Sequence, residues 1–176
     1  MKFHSEESVK ALEYAAKKEQ ETEDFYRQIL NKVKNPGVVA ILKSLAEDEN
    51  KHYKIVIKLL KETGEGKSPS IEMIESDAAK VRLERSFSES SISDPESIRE
   101  DATRLEILKK GLGIEVESFD NYSRAAEKSE DDEVKAVFRF LAGEENKHYI
   151  LIDNLISYLD VPSRWLYREE NLIFQL

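Results

Sequence analysis

The sequence predicts an all-α protein: a four-helix bundle made of two repeated antiparallel helical hairpins joined by a long crossover. Apolar residues recur at helical spacing in four long segments, and no segment alternates convincingly as a β-strand does. Six glycines and four prolines in 176 residues leave few positions that would break a helix. The segment LAEDENKHY, which ends at Tyr53, returns as LAGEENKHY, which ends at Tyr149. Such a repeat predicts a duplicated structural unit.

Capping signals mark the helices of the first hairpin. Ser5 is a suitable N-cap for a helix that runs to about Val33, because two glutamates follow it in the first turn. Asn35 and Pro36 then form a cap followed by proline at the first helical position. The second helix is predicted to run to about Lys61, before two glycines that stop it.

The same signals return in the second hairpin. Asp94-Pro95 opens a third helix that ends near Lys128. The fourth helix ends before Pro162, and its N-cap is one of two neighbouring aspartates, Asp131 or Asp132.

The repeat has a constant offset of 96 residues and defines the domain organisation. The bundle is predicted to occupy residues 1–160, with repeats at about 5–61 and 101–157 and a crossover at about 62–94. A crossover of about 33 residues is long enough to run the whole length of helices of this size. Residues 161–176 are predicted to form a separate apolar tail.

Charge and composition exclude several classes of function. The net charge of −9 argues against nucleic-acid binding, which needs clustered lysine and arginine. No stretch approaches the roughly 18 apolar residues of a membrane span, and the N-terminus lacks the apolar stretch of a signal peptide. The chain has no cysteine, which excludes disulfides, thiolate catalysis and cysteine-ligated metal sites within it. We therefore expect a cytoplasmic protein with no membrane contact.

Glutamate and histidine interrupt the apolar stripes at the middle of the predicted helices. In the second helix, Glu49 and His52 stand within a stripe of leucine and valine that advances in steps of three and four residues. Four carboxylates at one level of a core must either bind protons or be neutralised by cations. Two divalent metal ions would balance the four negative charges, and two neutral imidazoles would complete the ligand set. The predicted metal ligands are Glu19, Glu49, His52, Glu115, Glu145 and His148.

Two tyrosines stand seven residues after the first and third of the predicted glutamate ligands, on the same helix faces. Tyr26 and Tyr122 could hydrogen-bond a metal ligand, relay electrons or serve as ordinary core residues. We expect the first role, because metal ligands need groups that orient them. Asp48 and Glu144, one turn before each histidine, could orient that histidine or belong to a solvated acidic face.

These motifs resemble those of the rubrerythrin branch of the ferritin-like superfamily. The resemblance covers residues 5 to about 160 and rests on a glutamate followed by tyrosine at the seventh position and on Glu-Asn-Lys-His, each present twice. It implies a ferritin-like four-helix bundle in which the six residues bind two iron ions. It also implies that Glu49 and Glu145 bridge the two ions, while Glu19 and Glu115 each bind one.

The chain departs from the resemblance at two points. Rubrerythrins carry a C-terminal rubredoxin domain with four cysteines, and this chain has none. Any reductant would therefore be a separate electron-donor protein such as a rubredoxin. Rubrerythrins also carry an additional glutamate one turn after one terminal ligand, where this chain has Thr22 and Ser118. A ligand switch linked to that glutamate, and with it a peroxidase function, is correspondingly less expected.

The resemblance implies a di-iron carboxylate protein that reacts Fe(II) with peroxide or dioxygen, in oxidative-stress defence or iron handling. The expected activity is that of a di-iron oxidoreductase of the peroxidase or ferroxidase type, and the sequence leaves the particular reaction open. One alternative is iron binding, storage or sensing without turnover. Manganese also suits these ligands, which would make the site similar to a dimanganese catalase.

The tail is too apolar for a solvated segment. Burying three of its large side chains could contribute roughly 5–9 kcal/mol before ordering costs. We expect a homodimer whose interface includes part of the tail, and the alternative is a tail that plugs one end of a monomeric bundle. The apolar residues concerned are Trp165, Leu166, Tyr167, Leu172, Ile173 and Phe174.

Overall fold

A computed structural model describes residues 6–33, 36–64 and 102–160 of the chain. Within these ranges the secondary structure is four α-helices and no β-strand. They are α1 (Glu6–Leu30), α2 (Pro36–Gly64), α3 (Ala102–Lys128) and α4 (Asp132–Asp160). The all-α, four-helix prediction is therefore confirmed.

The helix boundaries lie close to the predicted ones. α2 begins at Pro36 as expected, whereas α1 ends at Leu30, three residues before the predicted end. The N-cap of α4 is Asp131, because its Oδ1 accepts hydrogen bonds from the backbone N–H groups of Glu133 and Val134 at 3.0 and 3.2 Å. The predicted start of the third helix at Asp94-Pro95, the crossover and the tail lie outside the described residues.

The helices pack as two hairpins that face each other. α1 packs along α2, α3 packs along α4, and the hairpins meet through α1 with α3 and through α2 with α4. Within the described ranges, no helix has the length and hydropathy that a membrane span requires.

The apolar core is divided into two clusters, one at each end of the bundle. The cluster at the end where α1 begins, which we call the first end, contains Leu12, Leu59, Tyr122, Val134 and Phe138 among others. The cluster at the second end contains Ile29, Val38, Leu42, Leu108 and Leu155 among others. α2 therefore ends at the first end of the bundle, and α3 starts at the second end.

Buried charged residues occupy the level between the two apolar clusters. On α1, Glu19 lies between Ala16 of the first cluster and Tyr26 of the second. On α2, Glu49 and His52 lie in the same way between residues of the two clusters. Isolated charge at such a depth would cost several kcal/mol per ion, so this layer requires compensation.

Candidate metal centre

The structure brings all six predicted ligands together at the level between the two apolar clusters. Each of the six side chains is at most 1% exposed. They come from all four helices: Glu19 from α1, Glu49 and His52 from α2, Glu115 from α3, and Glu145 and His148 from α4.

The first group of ligands surrounds His52. Its Nδ1 lies 3.3 Å from Oε2 of Glu19, 3.6 Å from Oε2 of Glu49 and 3.7 Å from Oε1 of Glu145. One potential ligand atom from each of these four residues lies within 4.8 Å of all the others. Four such atoms this close together could coordinate one metal ion.

The second group surrounds His148 in the same manner. Its Nδ1 lies 2.9 Å from Oε1 of Glu49, 3.5 Å from Oε2 of Glu115 and 4.0 Å from Oε2 of Glu145. These four residues also offer ligand atoms that are all within 4.8 Å of one another.

Glu49 and Glu145 belong to both groups, and the two groups are related by the sequence repeat. The offset of 96 converts Glu19 into Glu115, Glu49 into Glu145 and His52 into His148. It therefore converts each contact of His52 into a contact of His148. The imidazole rings of the two histidines lie almost parallel, with centroids 5.5 Å apart and planes at 21°. The duplication thus forms two equivalent ligand groups that share two glutamates.

Several polar atoms of this cluster have no hydrogen bond of acceptable geometry within the described part of the chain. They are both carboxylate oxygens of Glu19, one oxygen each of Glu49, Glu115 and Glu145, and both ring nitrogens of His52. A buried polar atom without a partner is costly, and such atoms are rare in native proteins. Oxygen and imidazole nitrogen are suitable donors for divalent metals, so the residues present fit a pair of metal ions.

The carboxylates disturb one another's protonation when no metal balances them. Burial and the charge of Glu49 raise the pKa of Glu19 to about 8. Burial and the charges of Glu49 and Glu19 raise the pKa of Glu145 well above its usual range. Burial also opposes the charge of Glu49, but the adjacent His148 outweighs it and lowers that pKa. Metal-free protein must therefore hold extra protons in this layer at neutral pH.

Histidine protonation follows the same pattern. Burial lowers the pKa of His52, but its contacts with Glu19 and Glu49 outweigh burial and raise the pKa to about 9. Contacts with Glu49 and Asp48 likewise raise the pKa of His148 above its usual range against the effect of burial. A metal ion at either group would displace these protons, because it binds neutral imidazole and ionised carboxylate.

Tyr26 and Tyr122 each lie next to a glutamate of the other repeat. The Tyr26 hydroxyl donates a hydrogen bond to Oε1 of Glu115. Tyr122 lies beside Glu19, and burial together with the charge of Glu19 raises its pKa. Tyr26 is thus placed to orient Glu115.

Tyr26→Phe should lower the affinity of the His148 group for metal by about 10- to 100-fold, the usual effect of removing a group that orients a ligand. The hydroxyl is lost while the buried ring stays. Metal titration of the variant against the parent protein measures the effect. Tyr53→Phe is the matched control, since Tyr53 is a partly buried tyrosine that packs against the first-end cluster. Equal metal affinities for Tyr26→Phe and the parent protein would contradict this role.

Asp48 and Glu144 are buried, so a solvated acidic face is wrong for both. Asp48 contacts Lys51 and has its Oδ2 3.8 Å from Nε2 of His148, the histidine of the other repeat. The sequence-based expectation paired each acid with the histidine of its own helix, and Asp48 instead faces the histidine across the bundle. Glu144 forms an ion pair with Lys147.

Thr22 and Ser118, where the resemblance implies an additional glutamate, are buried. The Thr22 hydroxyl donates a 3.0 Å hydrogen bond to the backbone carbonyl of Lys18. That bond satisfies the hydroxyl within its own helix, so Thr22 does not stand in for the missing carboxylate.

Fold and site together define a four-helix bundle with a buried cluster of carboxylates and histidines that fits a pair of metal ions. Each Glu-x-x-His helix is paired with a helix that supplies one further glutamate. The family model for rubrerythrin matches residues 10–156. The chain therefore belongs to the rubrerythrin family, as the resemblance of its motifs predicted. No curated protein and no solved structure matches the chain.

Proposed function

We propose that the chain binds two iron ions and reacts Fe(II) with peroxide or dioxygen. The observation that carries the proposal is the pair of ligand groups that share Glu49 and Glu145. A pair of ferrous ions held by shared ligands can together supply the two electrons that reduce a peroxide. The rubrerythrin membership of the chain supports iron as the metal.

The protein's own residues hold and shield such a centre. Glu49 and Glu145 would help to hold both ions, because each offers a ligand atom to both groups. Tyr26 orients Glu115, and Asp48 lies where it can orient His148. The apolar clusters on either side exclude bulk water and keep the electrostatic interactions of the layer strong.

Reduction of the oxidised centre requires an external donor under this proposal. The chain has no cysteine with which to hold an iron–sulfur or rubredoxin-type centre of its own. A separate electron-donor protein such as a rubredoxin is therefore part of the proposal. The homodimer and the part of the tail in its interface stay predictions from the sequence.

Anaerobic protein loaded with two equivalents of Fe(II) should be oxidised by one equivalent of hydrogen peroxide at least about tenfold faster than free Fe(II) in the same buffer. The reason is that two adjacent ions can deliver both electrons without a radical intermediate in solution. Stopped-flow absorbance under anaerobic conditions measures the rate, and dioxygen replaces peroxide in a second series.

Oxidation no faster than that of free Fe(II) with both oxidants would contradict the proposal and favour iron binding, storage or sensing. Metal analysis of protein isolated from its native host tests the metal. Manganese in place of iron would favour a catalase-like site.

A further inference from the structure

A cavity of about 520 Å³ lies at the first end of the bundle, between the start of α1, the end of α3 and the start of α4. Its apolar lining consists of Ala11, Ala125, Val134, Phe138 and the rings of Tyr14 and Tyr122. Four charged residues also line it: Glu7, Arg124, Lys128 and Glu130. The cavity has the size and the mixed lining of a small-molecule site.

The sequence repeat explains why this end has a cavity. Under the offset of 96, Ala11 corresponds to Ile107 and Ala125 corresponds to Ile29. At the second end, Ile29 is a buried core residue and Ile107 packs against the same cluster. Two alanines therefore stand at the first end where the duplicated unit has two isoleucines, and the side-chain volume that fills one end is missing at the other.

Tyr122 connects the cavity with the candidate metal centre. Its ring lines the cavity and packs near Phe138, with ring centroids 6.0 Å apart. The same side chain lies beside Glu19, a member of the His52 ligand group. Tyr122 thus belongs to the lining of the cavity and interacts electrostatically with Glu19 of the His52 ligand group.

We propose that this cavity binds the hydrocarbon part of an organic hydroperoxide, with the peroxide group towards Tyr122 and Glu19. Hydrogen peroxide has no apolar part and needs no such cavity, whereas a small alkyl or aryl group would contact the accessible apolar side chains of the lining, Ala11, Tyr14 and Ala125. The proposal rests on the proposed function and specifies its substrate class.

The chemistry balances without a further reagent. Reduction of an organic hydroperoxide breaks its O–O bond, takes up two electrons together with two protons that the solvent supplies, and gives an alcohol and water. Under the proposed function, the two electrons are those of the ferrous pair. The alcohol has nearly the shape of the substrate and cannot be reduced, so it serves as an inert probe of the cavity.

Binding is tested with 2-phenylpropan-2-ol, the alcohol derived from cumene hydroperoxide, on protein loaded with redox-inert Zn(II). The methyl NMR signals of Val134 should shift in a saturable way during the titration. Those of Val38, its counterpart at the second end, should not shift. Because the readout is binding alone, it is independent of whether the iron-loaded protein reacts with peroxide.

Ala125→Ile restores the isoleucine of the second end and should weaken binding of the alcohol at least tenfold. It should also lower the ratio of the oxidation rates with cumene hydroperoxide and hydrogen peroxide at least tenfold in the Fe(II)-loaded protein. Ala40→Ile adds the same atoms at an exposed position of α2 and is the matched control. The proposal is overturned by no saturable shift at Val134, by equal shifts at Val38, or by equal binding to Ala125→Ile and the parent protein.

Discussion

Replacing Glu49 with alanine should weaken the binding of both metal ions by more than about 100-fold, whereas replacing Glu19 should weaken only one. Glu49 offers ligand atoms to both groups, and Glu19 belongs to the His52 group alone. Loss of a direct ligand should exceed the 10- to 100-fold effect typical of the groups that orient ligands. Metal titration by calorimetry should therefore give two tight equivalents for the parent protein, one for Glu19→Ala and none for Glu49→Ala.

Glu47→Ala is the matched control, since Glu47 is an exposed glutamate two positions earlier on the same helix. Circular dichroism establishes that each variant retains its helices, so that loss of metal is separated from loss of fold. Two tight equivalents in Glu49→Ala would contradict a shared role for this residue. Loss of both equivalents in Glu19→Ala would show that the two groups do not bind separately.

Metal removal should give a protein whose stability falls as the pH rises from about 5 to 9, by at least about 3 kcal/mol. Each proton that the folded state holds in excess of the unfolded state changes stability by about 1.4 kcal/mol per pH unit. In the metal-free fold the pKa of Glu19 is raised to about 8 and that of His52 to about 9. Glu19 therefore holds an excess proton from about pH 5 to 8, and His52 holds one from about pH 6.5 to 9.

The stability of the metal-free protein falls with rising pH because both of these pKa values are raised on folding. The contribution of Glu19 is complete below its ordinary pKa of 4.5 and is lost as the pH rises through about 8. The contribution of His52 is complete below its ordinary pKa of 6.5 and is lost as the pH rises through about 9. The lowered pKa of Glu49 acts in the opposite direction, but only under acid conditions. Metal binding replaces the protons. The difference in the free energy of unfolding between the metal-loaded and the metal-free protein should therefore increase as the pH rises.

Guanidinium unfolding of both forms across this pH range measures the effect. Glu19→Gln should flatten the pH dependence of the metal-free protein, because it removes one titrating group from the layer. Glu47→Gln, at the exposed control position, should leave it unchanged. Identical unfolding midpoints for the two forms at every pH would contradict a buried metal centre.

The fold and the six clustered residues could be predicted because the duplication makes the pattern visible twice. A single Glu-x-x-His on a helix is weak evidence, but Glu49 with His52 and Glu145 with His148 stand at the same points of two apolar stripes. The 3.6-residue period of a helix then fixes which face they occupy. Capping signals in the sequence also predicted that α2 starts at Pro36 and that the N-cap of α4 is one of two neighbouring aspartates.

Features that depend on contact between the repeats could not be predicted in the same way. Helix periodicity places Asp48 near His52 on the same helix, but it contains no information about contacts with other helices. In the structure, Oδ2 of Asp48 lies 3.8 Å from Nε2 of His148 on α4. The cavity depends on the combined volume of side chains from three helices. One signal for it was present in the sequence: Ala11 and Ala125 replace the isoleucines of the other end.

The six residues proposed as metal ligands should hold two metal ions between the apolar clusters. They are Glu19, Glu49, His52, Glu115, Glu145 and His148. A crystal structure of the iron-loaded protein, with anomalous diffraction recorded on both sides of the iron absorption edge, tests this prediction most directly. We expect two iron peaks, one coordinated by the His52 group and one by the His148 group, with Glu49 and Glu145 in contact with both. A single iron, or iron bound at the surface with the six side chains uncoordinated, would contradict it.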